Sequence, residues 1–329
     1  MNISVLGGGS WATAISKELS KNHNIFMYVR DEINAKSIND NHQNIKYLKG
    51  NILPDNIKAY TNIEDVLHNK YIINAVPTQK IRSMLEEYSE KFSKDSIIIN
   101  LSKGIEVDTD LRISEIFKEF LPENKFVALS GPSHAEEVIK GVPTSLVAAS
   151  KDFDVAKEIQ NIMISESLRV YTNEDLIGVE FGGAVKNVLA IGVGILDGKN
   201  FGDNSRAAVI TRGIHEMTRF CIAMGGDRTT LYGLAGIGDL IVTATSQHSR
   251  NRKAGELIGQ GHTIDSLEKD IGMVVEGIPT CKALYEISKK KDIYMPLTNI
   301  IYNILYKNMD VSTAVEILMS KSGKNEFEF

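Results

Sequence analysis

Lys186 stands in Gly182-Gly183-Ala184-Val185-Lys186-Asn187-Val188-Leu189-Ala190, a helical pattern whose other members are almost all small or apolar. Its neighbours one turn away, Gly182, Gly183, Leu189 and Ala190, include no acid to pair with it. Glycine inside a helix costs stability relative to alanine, so the stretch predicts an ammonium facing a cleft that the glycines make roomy. A partly desolvated lysine loses its proton more easily and serves as an acid–base group. The plain alternative is a lysine whose stem lies on apolar surface while its head reaches water. A second group follows. Ala235-Gly236-Ile237-Gly238-Asp239-Leu240 reads as a glycine-rich turn presenting an acid, with Thr243 shortly after it. Ser249-Arg250-Asn251-Arg252 then offers guanidinium forks and neutral donors at a helix start, a set that fits a phosphate or, more plainly, a solvated basic helix end.

The first half carries its own candidates, each directly after a strand-like run. Asn2 to Trp11 reads as strand, glycine turn and helix start, and Gly7, Gly9 and Ala12 satisfy the dinucleotide fingerprint in its alanine-terminated form. There the free N–H groups of the helix start hold a pyrophosphate. Arg30 lies about 20 positions past Gly9, where the ribose is read, and predicts NADP(H); if Arg30 is only a solvated turn residue, Asp31 takes the ribose of NAD(H) instead. Lys103, in Leu101-Ser102-Lys103-Gly104, can neutralise a phosphate or polarise a carbonyl, or be a surface lysine of a βα loop. Gly131 and Ser133 offer a backbone N–H and a hydroxyl, although Ser133 reads equally as a helix N-cap; His134 reads as structural.

The elements that must position these residues follow from periodicity. Strands are expected at Ile3 to Leu6, Ile25 to Val29, Tyr71 to Val76, Ile97 to Leu101, Phe126 to Leu129, Ser145 to Ala149 and Leu168 to Tyr171, alternating with helical patterns. This predicts an α/β fold: an N-terminal Rossmann-like domain over residues 1–175 with a mostly parallel sheet, its ligands gathered at the carboxyl ends of the strands. From Leu176 only helical patterns remain, predicting an all-helical substrate and catalytic domain over residues 176–329. The 329 residues suit two domains enclosing a cleft. A net charge of -5 gives no overall attraction to nucleic acid. Cys221 and Cys281 read as reduced core thiols, and the seven histidines show no metal-ligand spacing, so no metal is expected. No apolar run is read as long enough to span a membrane, and Met1 leads straight into a strand, which predicts a cytoplasmic protein without stable membrane insertion.

Taken together, these stretches resemble the bacterial NAD(P)-dependent glycerol-3-phosphate dehydrogenase family over essentially the whole chain. The matching motifs are Gly7-Gly8-Gly9-Ser10-Trp11-Ala12, Ser102-Lys103-Gly104, Ser130-Gly131-Pro132-Ser133, Gly182-Gly183-Ala184-Val185-Lys186-Asn187, Arg206-Ala207-Ala208, Gly236-Ile237-Gly238-Asp239-Leu240, Ser249-Arg250-Asn251-Arg252 and Val274-Val275-Glu276-Gly277. The resemblance implies reversible reduction of dihydroxyacetone phosphate to sn-glycerol 3-phosphate, with NADPH preferred and NADH an alternative. It implies that Ser10, Trp11, Arg30, Lys103, Ala135, Arg250, Val274 and Glu276 touch the dinucleotide together with Gly7 and Gly9. Lys103, Gly131, Ser133, Lys186, Asp239, Ser249, Arg250 and Asn251 would surround the substrate. Lys186 is the implied proton donor and acceptor, with Lys103, Asn187, Asp239 and Thr243 around it. The resemblance also implies a homodimer and a role in phospholipid precursor supply. Residue types alone leave open a keto-acid reductase and a non-catalytic NADP(H) sensor.

Overall fold

In a computed structural model the described residues are 1–320, Gly323 and Glu326, so residues 321–322, 324–325 and 327–329 of the expected second domain lie outside them. The chain opens with β1 (Asn2–Leu6), α1 (Ser10–Leu19), β2 (Asn24–Tyr28), α2 (Glu32–Asn41) and β3 (Ile57–Tyr60). It continues with β4 (Tyr71–Asn74), α3 (Thr78–Tyr88), β5 (Ile97–Asn100), α4 (Ile113–Phe120) and β6 (Lys125–Ser130). Then come α5 (Ala135–Val138), β7 (Thr144–Ala149), α6 (Phe153–Met163) and β8 (Leu168–Asn173). The eight strands form one sheet in the order β3-β2-β1-β4-β5-β6-β7-β8, parallel at every pairing except the antiparallel β6–β7 step. Strand order reverses at β1, whose neighbours are β2 and β4, which opens a crevice beyond the carboxyl end of β1.

Burial explains the apolar runs. Ile97 and Ile99 of β5 enter one core with Ile3, Val5 and Ile25, whereas Ile98 enters the core on the opposite face with Ile72, Ile116 and Phe117. A strand covered on both faces needs apolar residues at every position, so it shows as a continuous run. The strand that periodicity missed, β3, reads Ile-Lys-Ala-Tyr: it is an edge strand, with Lys58 exposed and Ala59 buried. The missed helix α2 is rich in Asn, Ser and Asp and poor in apolar residues; Asp31 caps it by accepting from Asn34 N at 3.0 Å.

The helical half comprises α7 (Leu176–Gly198), α8 (Asp203–Ala223), α9 (Asp239–Thr245), α10 (Arg250–Gly259), α11 (Ile264–Ile271), α12 (Gly277–Lys290), α13 (Pro296–Lys307) and α14 (Val311–Met319). Contrary to the sequence expectation, α7 is long and apolar enough to cross a membrane by length and composition, but it is buried inside the fold. It is the central core helix. Its first turns pack on the sheet, with Leu176 and Val179 beside Ala128, Val147 and Ala149. Farther along it meets α10 almost backbone to backbone: a Cβ on Gly194 would stand 2.0 Å from the Arg252 carbonyl, and one on Gly255 2.0 Å from that of Ile191. Only glycine permits that approach. Cys221 and Cys281 are free and buried in this helical core. Among the described residues, no group of three or more His, Cys, Asp or Glu gathers as a metal site.

Candidate active site

Lys186 projects from the middle of α7 and is only 6% exposed. Its own helix offers no acid, as the sequence shows, but one arrives from elsewhere: Asp239, the first residue of α9, places Oδ1 2.9 Å from Lys186 Nζ. Lys186 also donates to Thr243 Oγ1 at 2.7 Å, one turn farther along α9. The other oxygen of Asp239 meets Lys103 Nζ at 2.5 Å, and Lys103 donates to the Gly131 carbonyl at 3.0 Å. One carboxylate, 2% exposed, therefore lies between two ammonium groups. Burial brings Lys186 down to about 8, against the pull of Asp239, which favours its charged form. Burial raises Asp239, but Lys103 and Lys186 beside it outweigh that and hold it below the usual carboxylate range. The cluster carries a net positive charge and suits a carbonyl oxygen that becomes anionic.

The glycines near Lys186 work differently from the sequence expectation. They do not widen a cleft. A Cβ on Gly182 would stand 2.6 Å from the Ala235 carbonyl, and one on Gly183 would meet Ser130 Oγ at 3.1 Å and the Lys103 stem at 3.3 Å. They let the chain before Asp239 and the loop carrying Lys103 close onto α7. The expected glycine turn at 235–240 is likewise a wide π-type helical turn, Leu234–Gly238, that runs into α9 and delivers Asp239 at its start.

Around this centre the amides are tied together. Asn187 donates to the Lys103 carbonyl at 3.4 Å, Asn251 donates to Asn187 Oδ1 at 2.8 Å, and Asn251 Oδ1 accepts from Gly277 N at 2.9 Å. Ser249 caps α10 by accepting from Arg252 N at 3.2 Å, so its hydroxyl hydrogen stays available. Ser133 Oγ donates to the Gly131 carbonyl at 3.0 Å instead of capping α5, whose N-cap is His134. The two arginines of the basic cluster separate in role. Arg252 is committed to Asp197 at 2.7 Å, which it shares with Arg206. Arg250 is exposed and donates to the Val274 carbonyl at 3.4 Å. His134 lies against the Val242 carbonyl, Nε2 to O 3.3 Å, and burial lowers its pKa, which agrees with a structural imidazole.

At the other end of the crevice, Gly7 takes φ +125°, and a Cβ there would meet the Ala75 carbonyl at 3.1 Å, so this is the tight turn. Gly9 is the N-cap residue of α1 and brings no side-chain cap, and nothing lies within 4 Å of where its Cβ would be. The space beside Gly9 at the start of the helix is thus open, as a bound pyrophosphate needs. Ser10 and half-buried Trp11 open α1, and Arg30 is exposed just past β2. Ala135 begins α5, Val274 is exposed, and Glu276 Oε1 accepts from Thr78 N at the start of α3 at 3.1 Å. These residues fit a dinucleotide.

Comparison with known proteins gives the family. Residues 2–156 match the family model for the N-terminus of NAD-dependent glycerol-3-phosphate dehydrogenase, and residues 175–316 match the model for its C-terminus. A glycerol-3-phosphate dehydrogenase [NAD(P)+] of Clostridium perfringens is 47% identical over 98% of both chains, and that of Clostridium botulinum is 48% identical over the same share. The chain belongs to the NAD(P)-dependent glycerol-3-phosphate dehydrogenase family. The crystal structure of the Coxiella burnetii glycerol-3-phosphate dehydrogenase has the same fold, with a TM-score of 0.93 at 33% identity over 97% of this chain and 99% of that one.

For a dehydrogenase of this family, two supports of the site escaped sequence reasoning. Glu180, on the helix of Lys186, accepts from Ser114 N at 2.8 Å and from Arg112 Nη1 at 2.6 Å, fastening α7 to the start of α4; burial raises the Glu180 carboxyl. Asn44, buried in the loop after α2, donates to the Gly8 carbonyl at 2.9 Å and to Thr13 Oγ1 at 2.7 Å. Neither lies in a motif. Their partners are 68 and 36 positions away, and local patterning carries no signal for them.

Proposed function

We propose that this chain reversibly reduces dihydroxyacetone phosphate to sn-glycerol 3-phosphate, using NADPH in preference to NADH, in a cytoplasmic homodimer that supplies phospholipid precursor. The observation that carries the reading is the buried Lys186–Asp239–Lys103 arrangement. Residues 1–175 form the dinucleotide domain in this reading and residues 176–329 the substrate and catalytic domain. The cofactor, when bound and reduced, supplies the hydride that the ketone carbon receives. Gly7, Gly9, Ser10, Trp11, Arg30, Ala135, Val274 and Glu276 would hold it, with Lys103 and Arg250 close to both cofactor and substrate.

Lys186 donates a proton to the ketone oxygen and becomes a neutral amine; in the oxidative direction the amine takes the proton back. A group near pH 8 serves both directions close to neutrality. Asp239 keeps the ammonium charged despite its burial, and Thr243 fixes its direction. Lys103 adds a second positive charge facing the oxygen, and Asn187 steadies the Lys103 backbone. The substrate phosphate binds to Arg250, to the free hydroxyl hydrogen of Ser249 and to the second amide hydrogen of Asn251, with Gly131 and Ser133 beside Lys103. Binding energy from the phosphate is thereby spent on orienting the carbonyl. The test follows loss of the reduced-nicotinamide absorbance with dihydroxyacetone phosphate, in parallel with NADPH and NADH, and with ketopantoate as the competing substrate. Turnover of ketopantoate without turnover of dihydroxyacetone phosphate overturns the reading.

A further inference from the structure

The loop between α2 and β3 is tied to the glycine turn that follows β1. Asn44 holds it to the glycine turn through Gly8 and Thr13, and Asn44 Oδ1 accepts from Tyr47 N at 3.0 Å, so residues 44–47 are fixed against the start of α1. This places Lys46 beside the end of β2, with Nζ 3.1 Å from Asp31 Oδ2. The other oxygen of Asp31 caps α2. Both oxygens of Asp31, the acid at the ribose-reading position, are therefore engaged. Arg30, next to it, is exposed and forms no ion pair among the described residues. The rim holds Arg30 and Lys46 against Asp31 and the exposed Glu32, and among the described residues it is Lys46 that pairs with Asp31, leaving the Arg30 guanidinium unpaired. A free ribose 2′-hydroxyl calls for a carboxylate with an oxygen to spare, whereas a 2′-phosphate calls for an uncommitted guanidinium.

We infer that Lys46 is a specificity-determining residue, the second cation of the 2′-phosphate site, which neutralises Asp31 and joins Arg30 in binding phosphorylated ribose. This rests on the NADPH reading above and adds to it a residue that no motif marks. The competing account is an ordinary surface ion pair, since the Lys46 side chain is 52% exposed; such a pair leaves cofactor discrimination unchanged.

Calorimetric titration of the full-length protein with adenosine 2′,5′-bisphosphate and with AMP isolates the 2′-phosphate, because the two probes differ only there. Lys46→Gln is expected to weaken the bisphosphate about tenfold, a charge-assisted contact discounted for solvent exposure, and to leave AMP unchanged. The kcat/KM with NADPH should fall by a similar factor while that with NADH holds. If the unaltered protein binds both probes equally, the NADPH reading fails and the inference with it. If Arg30→Gln loses the preference while Lys46→Gln keeps it, the reading stands and Lys46 is wrongly assigned. Equal weakening of both probes by Lys46→Gln also overturns the inference, since Lys46 would then shape the loop and not read the phosphate.

Discussion

Asp239→Asn tests the centre of the mechanism because it removes one charge and keeps the size of the side chain. At the observed 2.9 Å, an effective dielectric of about 20 gives roughly 6 kcal/mol of attraction between Asp239 and Lys186. Broken buried pairs cost about 3–5 kcal/mol in practice, and at about 1.36 kcal/mol per unit this lowers Lys186 by roughly 2–4 units. Lys103, no longer neutralised, pushes in the same direction. The ammonium that dominates below about 8 would then persist only below roughly 6. Measured as kcat/KM for dihydroxyacetone phosphate against pH, the alkaline limb should move to lower pH by at least about 2 units. Activity lost at neutrality should return on acidification. Circular dichroism across the same range separates this from unfolding. A limb that stays near its original place at near-normal height would show that Asp239 does not sustain the charge of Lys186.

Lys186→Met should lower turnover by about 10²- to 10⁴-fold, as loss of a general acid does, while NADPH binding followed by its fluorescence is retained. In the unaltered protein, reduction should decline as pH rises through about 8, where the proton donor is lost, and glycerol 3-phosphate oxidation should rise across the same range. Gly182→Ala should lower stability by about 1–3 kcal/mol in denaturant titration, because the new Cβ meets the Ala235 carbonyl at 2.6 Å. At an unobstructed helix position the same change stabilises by roughly 1 kcal/mol, so the sign decides whether the close approach is real. Arg112→Met leaves Glu180 buried without its charge partner and should cost about 3–5 kcal/mol in the same titration.

The sheet-then-helix order and the glycine turn at Gly7 to Gly9 are legible in the sequence, and Lys186 stands out there as an unpaired lysine, whereas Lys103 reads equally as a site residue and a surface one. The reason is that these depend on local chemistry: doubly covered strands read as apolar runs, a tight turn needs glycine, and a lysine among small and apolar residues stands out. Edge strand β3 and the polar helix α2 escaped because neither buries enough surface to leave a period in the chain. Local patterning offers no acid for Lys186, and resemblance alone puts Asp239 near it; the tertiary structure shows the pairing itself, with Asp239 approaching from α9 across a glycine contact that has no local signature. It also decided which basic residues are free. Arg252 and Arg250 are two positions apart and alike in type, yet among the described residues one is ion-paired with Asp197 and the other meets no carboxylate, only the Val274 carbonyl. Charge is written in the chain, but availability depends on what folds against it.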